Sequence, residues 1–212
     1  MSRVLSDKQH QAKTIIAAAT GLFMRSGFAS TTMEQVAAEA GVVKQTVYNH
    51  FPSKEWLFRA MIDSANEELR ATLPAAPPPD SDSRQCLLAF SKHFLRLVVR
   101  PASLGLHRML ITEAPRFPEL GKLVFSTGAS RTTGRLADYF RQQAKARQMV
   151  VDDPELAAEQ FLGSLRGNIQ LRLLLTGGPA PSNAQIDRAA ETAVDTFLRA
   201  HRTHRPQTQQ RR

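Results

Sequence analysis

Residues 27–55, GFASTTMEQVAAEAGVVKQTVYNHFPSKE, constrain the fold more than any other part of this 212-residue chain. The stretch reads as two short helices joined by a glycine turn, followed at once by a third. Gly27 ends an apolar-periodic run and suits a helix C-terminus, because glycine enters the left-handed region at little cost. Thr31 and Thr32 both qualify as N-caps. Glu34 and Gln35 stand three positions after them, so either register gives a capping box. Met33, Val36, Ala37 and Ala40 keep one apolar face at helical spacing. Gly41 breaks that helix, and Val42 plugs the angle to the next. From Val43 to Phe51 the pattern resumes, with Val47 and Phe51 inward. Lys44, Gln45, Thr46, Tyr48, Asn49 and His50 remain outside, a surface rich in hydrogen-bonding groups and poor in acids. Pro52 ends this helix, and Ser53 caps another beginning at Lys54. The layout is that of a helix-turn-helix, whose second helix enters the major groove of DNA.

The ordered set Gly27-Phe28, Thr31-Thr32, Val36-Ala37, Ala40-Gly41-Val42, Thr46, Tyr48, His50-Phe51 and Ser53-Lys54-Glu55 resembles the DNA-binding domain of the tetracycline-repressor (TetR) family. The resemblance covers about the first quarter of the chain. It implies an all-α, nine-helix fold, a homodimer, a palindromic operator and a variable ligand-binding domain behind the DNA reader. It also implies Lys44 to His50 as the recognition helix. Lys44, Gln45 and Thr46 stand early enough to reach base edges. Tyr48, His50 and Lys54 are assigned to phosphates, Thr31 or Thr32 offers an amide and a hydroxyl to phosphate, and Asn49 completes the surface. Tyr48 as half core, and the threonines as caps alone, are the plainer alternatives. Two positions depart from the family pattern. Val43 stands where Ser is usual, removing an N-cap worth about 1 kcal/mol, and Gln45 replaces a small residue.

The rest of the chain also reads as helices. Residues 9–25 form the first, with Ala12, Ile15, Ile16, Ala19, Leu22 and Phe23 as its buried stripe, and residues 54–73 form the fourth. The expected domains are a DNA reader at 1–53, a connecting helix at 54–73, a linker at 74–82, a ligand-binding and dimerisation domain at 83–201, and a disordered basic tail at 202–212. The fifth helix is capped by Asp82 or Ser83 and stopped by Pro101. The sixth spans about 102–114. The seventh runs from Pro118 or Glu119 to about Arg147, with Gly128 and Gly134 as weak points. Asp152-Asp153-Pro154 opens the eighth, which Gly177 ends, and Ser182 caps the ninth, which runs to about Ala200.

The net charge of +9 is less informative than it looks. Residues 199–212 hold five arginines and no acid, so more than half of the excess lies in the tail. That tail is either a solubilising extension or a nonspecific DNA clamp. A single cysteine, Cys86, excludes an intrachain disulfide. No membrane-length apolar run and no signal-peptide pattern occurs, which gives the expectation of a cytoplasmic protein. No phosphate-binding glycine loop or metal-spacing motif is present, so neither cofactor nor metal is expected. A helical enzyme is a remote alternative, and a nonspecific nucleoid-type DNA binder a nearer one.

Dimerisation is expected through the last two helices. Ile186, Ala190, Ala193, Val194 and Phe197 form a long apolar stripe, and Gly163 and Gly167, with Phe161 beside them, suit close helix approach. The middle helices are expected to hold a small, apolar or aromatic effector against Phe90, His93, Phe94, His107, Met109, Leu110 and Phe161, residues that also suit a plain core.

Overall fold

The computed structural model describes the backbone of residues 2–70 and 82–202, with side chains for 7–64 and 82–202. Residues 71–73 of the expected fourth helix, 74–81 of the expected linker and the tail from 203 onward lie outside the described residues. Among the described residues there are nine helices and no strand. They are α1 (Ser2–Ser30), α2 (Met33–Glu39), α3 (Lys44–His50), α4 (Lys54–Arg70), α5 (Ser83–Val98) and α6 (Pro101–Glu113). Next, α7 passes without a gap through Pro118–Val124, a π-helical turn Phe125–Ala129 and Ser130–Lys145. α8 (Pro154–Thr176) and α9 (Asn183–Ala200) complete the set. Pro101 opens α6 instead of merely stopping α5. At the first position of a helix the missing N–H costs nothing. The weak point expected at Gly128 is the π turn, while Gly134 stays in regular helix.

The helices cluster into two compact units that do not follow chain order. One gathers Met1–Glu68, Leu97–Arg131 and Gln170–Ala180, the other Leu69–Arg96, Thr132–Ile169 and Pro181–Arg212. In the first unit, Ile15, Ala19 and Phe23 lie four apart on α1 and pack with Leu57, Phe58, Met61 and Ile62 of α4. Met33, Val36 and Ala37 of α2 and Val47 of α3 join the same core, as do Met109 and Leu120. Phe23, Phe28 and Phe58 form a triangle with ring centroids 5.5–5.7 Å apart. Each such ring contributes roughly 1.5–3 kcal/mol by burial.

Phe28 reaches that triangle because the chain bends at Gly27, where φ is 80° and ψ 166°. This combination is almost exclusive to glycine. A second demand falls on the same residue. A Cβ there would stand 2.8 Å from the Glu113 Oε1 of α6.

The second unit is centred on Phe140, Phe161 and Phe197. The Phe140–Phe197 centroids are 4.6 Å apart, those of Phe161–Phe197 4.9 Å. A seam of ion pairs holds α9 along α5: Arg84 with Asp195 at 2.8 Å, Lys92 with Glu191 at 3.6 Å, and Lys92 and Arg96 with Asp187 at 3.4 and 3.2 Å.

This arrangement corrects the expected dimer stripe. Ile186, Ala190, Ala193, Val194 and Phe197 are buried within one protomer, as is Phe161. The salt-bridge seam turns the stripe onto the protomer's own aromatic core, so its apolar surface is already covered. Gly163 and Gly167 are different: both are exposed, and a Cβ on either would meet nothing within 4 Å. Gly167 also breaks α8, with φ 43° and ψ −138°.

Gly27→Ala should lower stability by about 1–3 kcal/mol, because it forces a side chain into a glycine-only conformation. Gly134→Ala should raise stability by up to about 1 kcal/mol, since its Cβ would meet nothing within 4 Å. Urea unfolding midpoints of the two variants should therefore move in opposite directions.

Candidate nucleic-acid interface

Local chemistry sets the angle between α2 and α3. The Thr32 hydroxyl accepts from the Gln35 amide at 3.2 Å, and the Gln35 side chain accepts from the Thr32 amide at 2.8 Å. Of the two capping registers open in the sequence, the fold uses Thr32. Thr31 is 1% exposed and donates its hydroxyl to the Gly27 carbonyl at 2.8 Å. Its side chain is thereby withdrawn from the surface, which corrects the expectation that it offers a hydroxyl to phosphate. Gly41 turns the chain at φ 66°. Val43 then begins α3 with no side-chain cap and 70% exposure.

On α3 only Val47 is buried. Lys44, Gln45, Tyr48 and Asn49 are exposed, with Thr46 and His50 half-buried. Gln45 Nε2 donates to Asn49 Oδ1 at 3.0 Å. That leaves the Gln45 side-chain oxygen as an acceptor and the Asn49 side-chain nitrogen as a donor, on two exposed residues one turn apart. Lys44 pairs with Glu34 of α2 and lies 5.6 Å from the Tyr48 ring centroid. The hydrogen bond between them lowers the Glu34 carboxyl below its ordinary pKa and raises the Lys44 ammonium above its own. His50 Nε2 stands 3.4 Å from Gln11 Oε1 of α1. Glu34, a capping-box candidate by its spacing, and Gln11 carry no periodic or motif signal toward these partners.

Lys54 departs most from expectation. Its ammonium donates to the carbonyls of Phe28 at 2.7 Å, Thr31 at 3.0 Å and Ala29 at 3.2 Å, and lies 4.4 Å from the Phe28 ring centroid. An ammonium has three donors, and all three are spent here. Burial lowers its pKa below the ordinary lysine value. The phosphate role assigned to Lys54 therefore gives way to a structural one: it secures the turn between α1 and α2.

The seven residues expected to hold an effector are divided between the two units. His107, Met109 and Leu110 belong to the first unit, and Phe90, His93, Phe94 and Phe161 to the second. His107 Nδ1 lies 2.7 Å from the Ser103 carbonyl. Met109 lines a cavity of about 190 Å³ within the first unit, with Ile16, Thr20 and Met24 of α1, Met61 of α4 and Leu106 of α6. Phe161 is core. In the second unit, Phe90 and Phe94 stack with centroids 5.9 Å apart and planes within 13°. Arg166 of α8 lies over Phe94 at 5.5 Å. Burial lowers the Arg166 pKa, and its Nε has no hydrogen-bond partner. Its sequence neighbours gave no hint of this position. Among the described residues no group of three or more His, Cys, Asp or Glu side chains could hold a metal, and no helix is long and apolar enough to cross a membrane.

A capped α2, a left-handed glycine and an α3 with one buried residue and a polar outer face define the helix-turn-helix class of protein. Residues 15–61 match the family described as bacterial regulatory proteins, tetR family, and residues 85–203 match the C-terminal domain of AefR-like transcriptional repressors. The chain belongs to the TetR family of bacterial transcriptional regulators.

The Flavonoid-responsive Regulator FrrA is 33% identical, with 92% of this chain and 99% of that one covered at a TM-score of 0.73. A TetR-family transcriptional regulator from Mesorhizobium loti MAFF303099 is 28% identical, covering 92% and 98% at a TM-score of 0.79. The HTH-type transcriptional regulator RutR of Escherichia coli (strain K12) is 43% identical over 61 residues, which is 29% of this chain and 27% of RutR.

Lys54→Met should cost about 1–3 kcal/mol by orphaning partly buried carbonyls. Lys54→Arg should not restore the loss, since a planar guanidinium cannot send three donors from one nitrogen to three separate carbonyls. A full thermal melt tests this. Unchanged stability together with a shallower salt dependence of DNA binding would return Lys54 to the phosphate role.

Proposed function

We propose that the chain is a ligand-responsive DNA-binding regulator that holds a palindromic operator as a homodimer in the cytoplasm, represses from it, and is released by a small apolar or aromatic effector. The observation that carries this reading is α3 itself. It is a short helix held by a single buried residue, with Lys44, Gln45, Tyr48 and Asn49 turned to solvent. A surface so free of core duty is suited to contact another molecule, and its donor and acceptor pairs suit base edges. The Gln45 carbonyl and Asn49 amide together match the donor–acceptor edge of adenine. Tyr48 and His50 then serve phosphates, with Thr32 and the first amides of α2.

A dimer presents two such helices about 34 Å apart, one helical turn of DNA. Its interface is proposed to use the exposed Gly163 and Gly167 of α8 and the outer face of α9. There Ser164, Arg188, Ala189, Thr192 and Thr196 border an open groove of about 560 Å³. The functional division proposed is a DNA reader at 1–53, the α4 connection, and an effector and dimerisation part from 83 onward. Effector binding acts through α4, whose first residue holds the turn before α2. The flavonoid-responsive character of a relative 33% identical supports an aromatic effector. Coupling is reciprocal, so operator DNA weakens effector binding by the same factor.

Selection of bound sequences from random DNA should return one palindrome. Gln45→Ala should change the preferred base at one position per half-site, and Tyr48→Ala should weaken binding on all sequences alike. A selection that returns no common sequence would favour a nonspecific nucleoid-type binder instead. Gly163→Arg should leave the unfolding midpoint of the protomer nearly unchanged but shift the sedimentation equilibrium from dimer to monomer. A dimer that tolerates the arginine would place the interface elsewhere.

A further inference from the structure

Arg166 is a half-buried cation of the second unit that meets no carboxylate among the described residues. Arg84, Lys92, Arg96 and Arg141 of that unit each pair with a carboxylate. Arg166 pairs with none among the described residues, and its Nε is buried without a partner. A half-buried charge without a counter-ion is destabilising, and such a group persists where something else answers it. It lies over the face of Phe94, which offers a cation only a partial substitute for a counter-ion. Phe94 stacks on Phe90, so the guanidinium caps a buried pair of parallel rings. His93 is three residues after Phe90 and shares its side of α5. Its Nε2 is likewise buried without a partner. Arg166 of α8 thus meets the stacked pair on α5, and a second buried nitrogen without a partner, His93 Nε2, stands on α5 between the two rings in sequence.

We propose that Arg166 and the α5 face Phe90, His93 and Phe94 form the contact point for an aromatic anion, a carboxylate or phenolate on a flat ring, and that this is the chemical class of the effector. The inference rests on the regulator reading above and narrows it. A guanidinium meets a carboxylate with two parallel hydrogen bonds, while the rings take the apolar part. A cationic ligand is disfavoured by like charge, and a neutral one leaves the guanidinium unanswered.

The test is calorimetric titration of the full chain with 2-naphthoate and with its neutral isostere 2-naphthamide. The wild type should bind the anion at least tenfold more tightly than the amide. Arg166→Met should erase that preference, and Arg166→Lys should retain part of it. Phe94→Leu should weaken both ligands several-fold. Arg166→Met removes a charge that has no counter-ion among the described residues, so its melting temperature should be no lower than that of the wild type, and loss of preference cannot then be loss of fold. Equal binding of the two probes, no binding of the naphthoate, or a preference that survives Arg166→Met would each overturn the proposal. Binding to the selected DNA site, measured in parallel, separates the two readings. A protein that holds its palindrome but ignores the charge of the probe loses only the effector class. One that selects no palindrome loses the regulator reading, whatever the naphthoate does.

Discussion

The Lys54 ammonium is the contact on which the DNA-reading part of the fold depends. It gathers the carbonyls of Phe28, Ala29 and Thr31 into one cluster beneath its charge. Those carbonyls belong to the last turn of α1 and the step to α2, where backbone acceptors run out of helical partners. One side chain from α4 thereby satisfies the gap between two other helices. The glycine bend at Gly27, the phenyl triangle around Phe28 and the Thr32 cap all stand within a few residues of it. The direction of α2, and through Gly41 that of α3, follows from this junction and not from any feature of α3 itself.

What was legible in the sequence was what is local. The Thr32–Gln35 box, the left-handed Gly41, the missing cap at Val43 and the inward Val47 are each decided by residues within a few positions, and the spacing of residue types carried them. What depends on distant groups leaves no such mark in the sequence. Nothing near Lys54 in sequence announces three carbonyls more than twenty residues earlier. The α9 stripe shows the same limit in another form. Its period was right, but periodicity states only that a face is apolar, not which surface covers it. The ion pairs of Asp187, Glu191 and Asp195 with α5 decide that, and they join residues about a hundred positions apart. Arg166 was invisible for the same reason.

The chain handles its cations in three distinct ways. Lys54 spends its donors on backbone carbonyls, the α5 cations meet acids on α9, and Lys44 is tied to Glu34 on the reading surface. The last of these is a reversible tether. An exposed pair holds the side chain loosely, so Lys44 can exchange its carboxylate for a base edge or a phosphate at little expense. Net charge would rank these groups as equivalent. Only their surroundings distinguish a fastener from a contact residue.

The π-helical turn Phe125–Ala129 gives α7 one residue more than an ideal helix of its path would need. The surplus residue is absorbed in the widened turn, so the flanking segments keep their own faces: Leu120 buried before it, Leu136, Ala137 and Phe140 buried after it. Register on either side is therefore insulated from a change in length at this point. Loss of a single residue within 125–129 can be taken up by tightening the turn to an ordinary α-helical one, whereas the same loss a few positions further on would rotate every later core side chain of α7 by about 100°. In this chain α7 has one place where the loss of a residue leaves both flanking faces where they are.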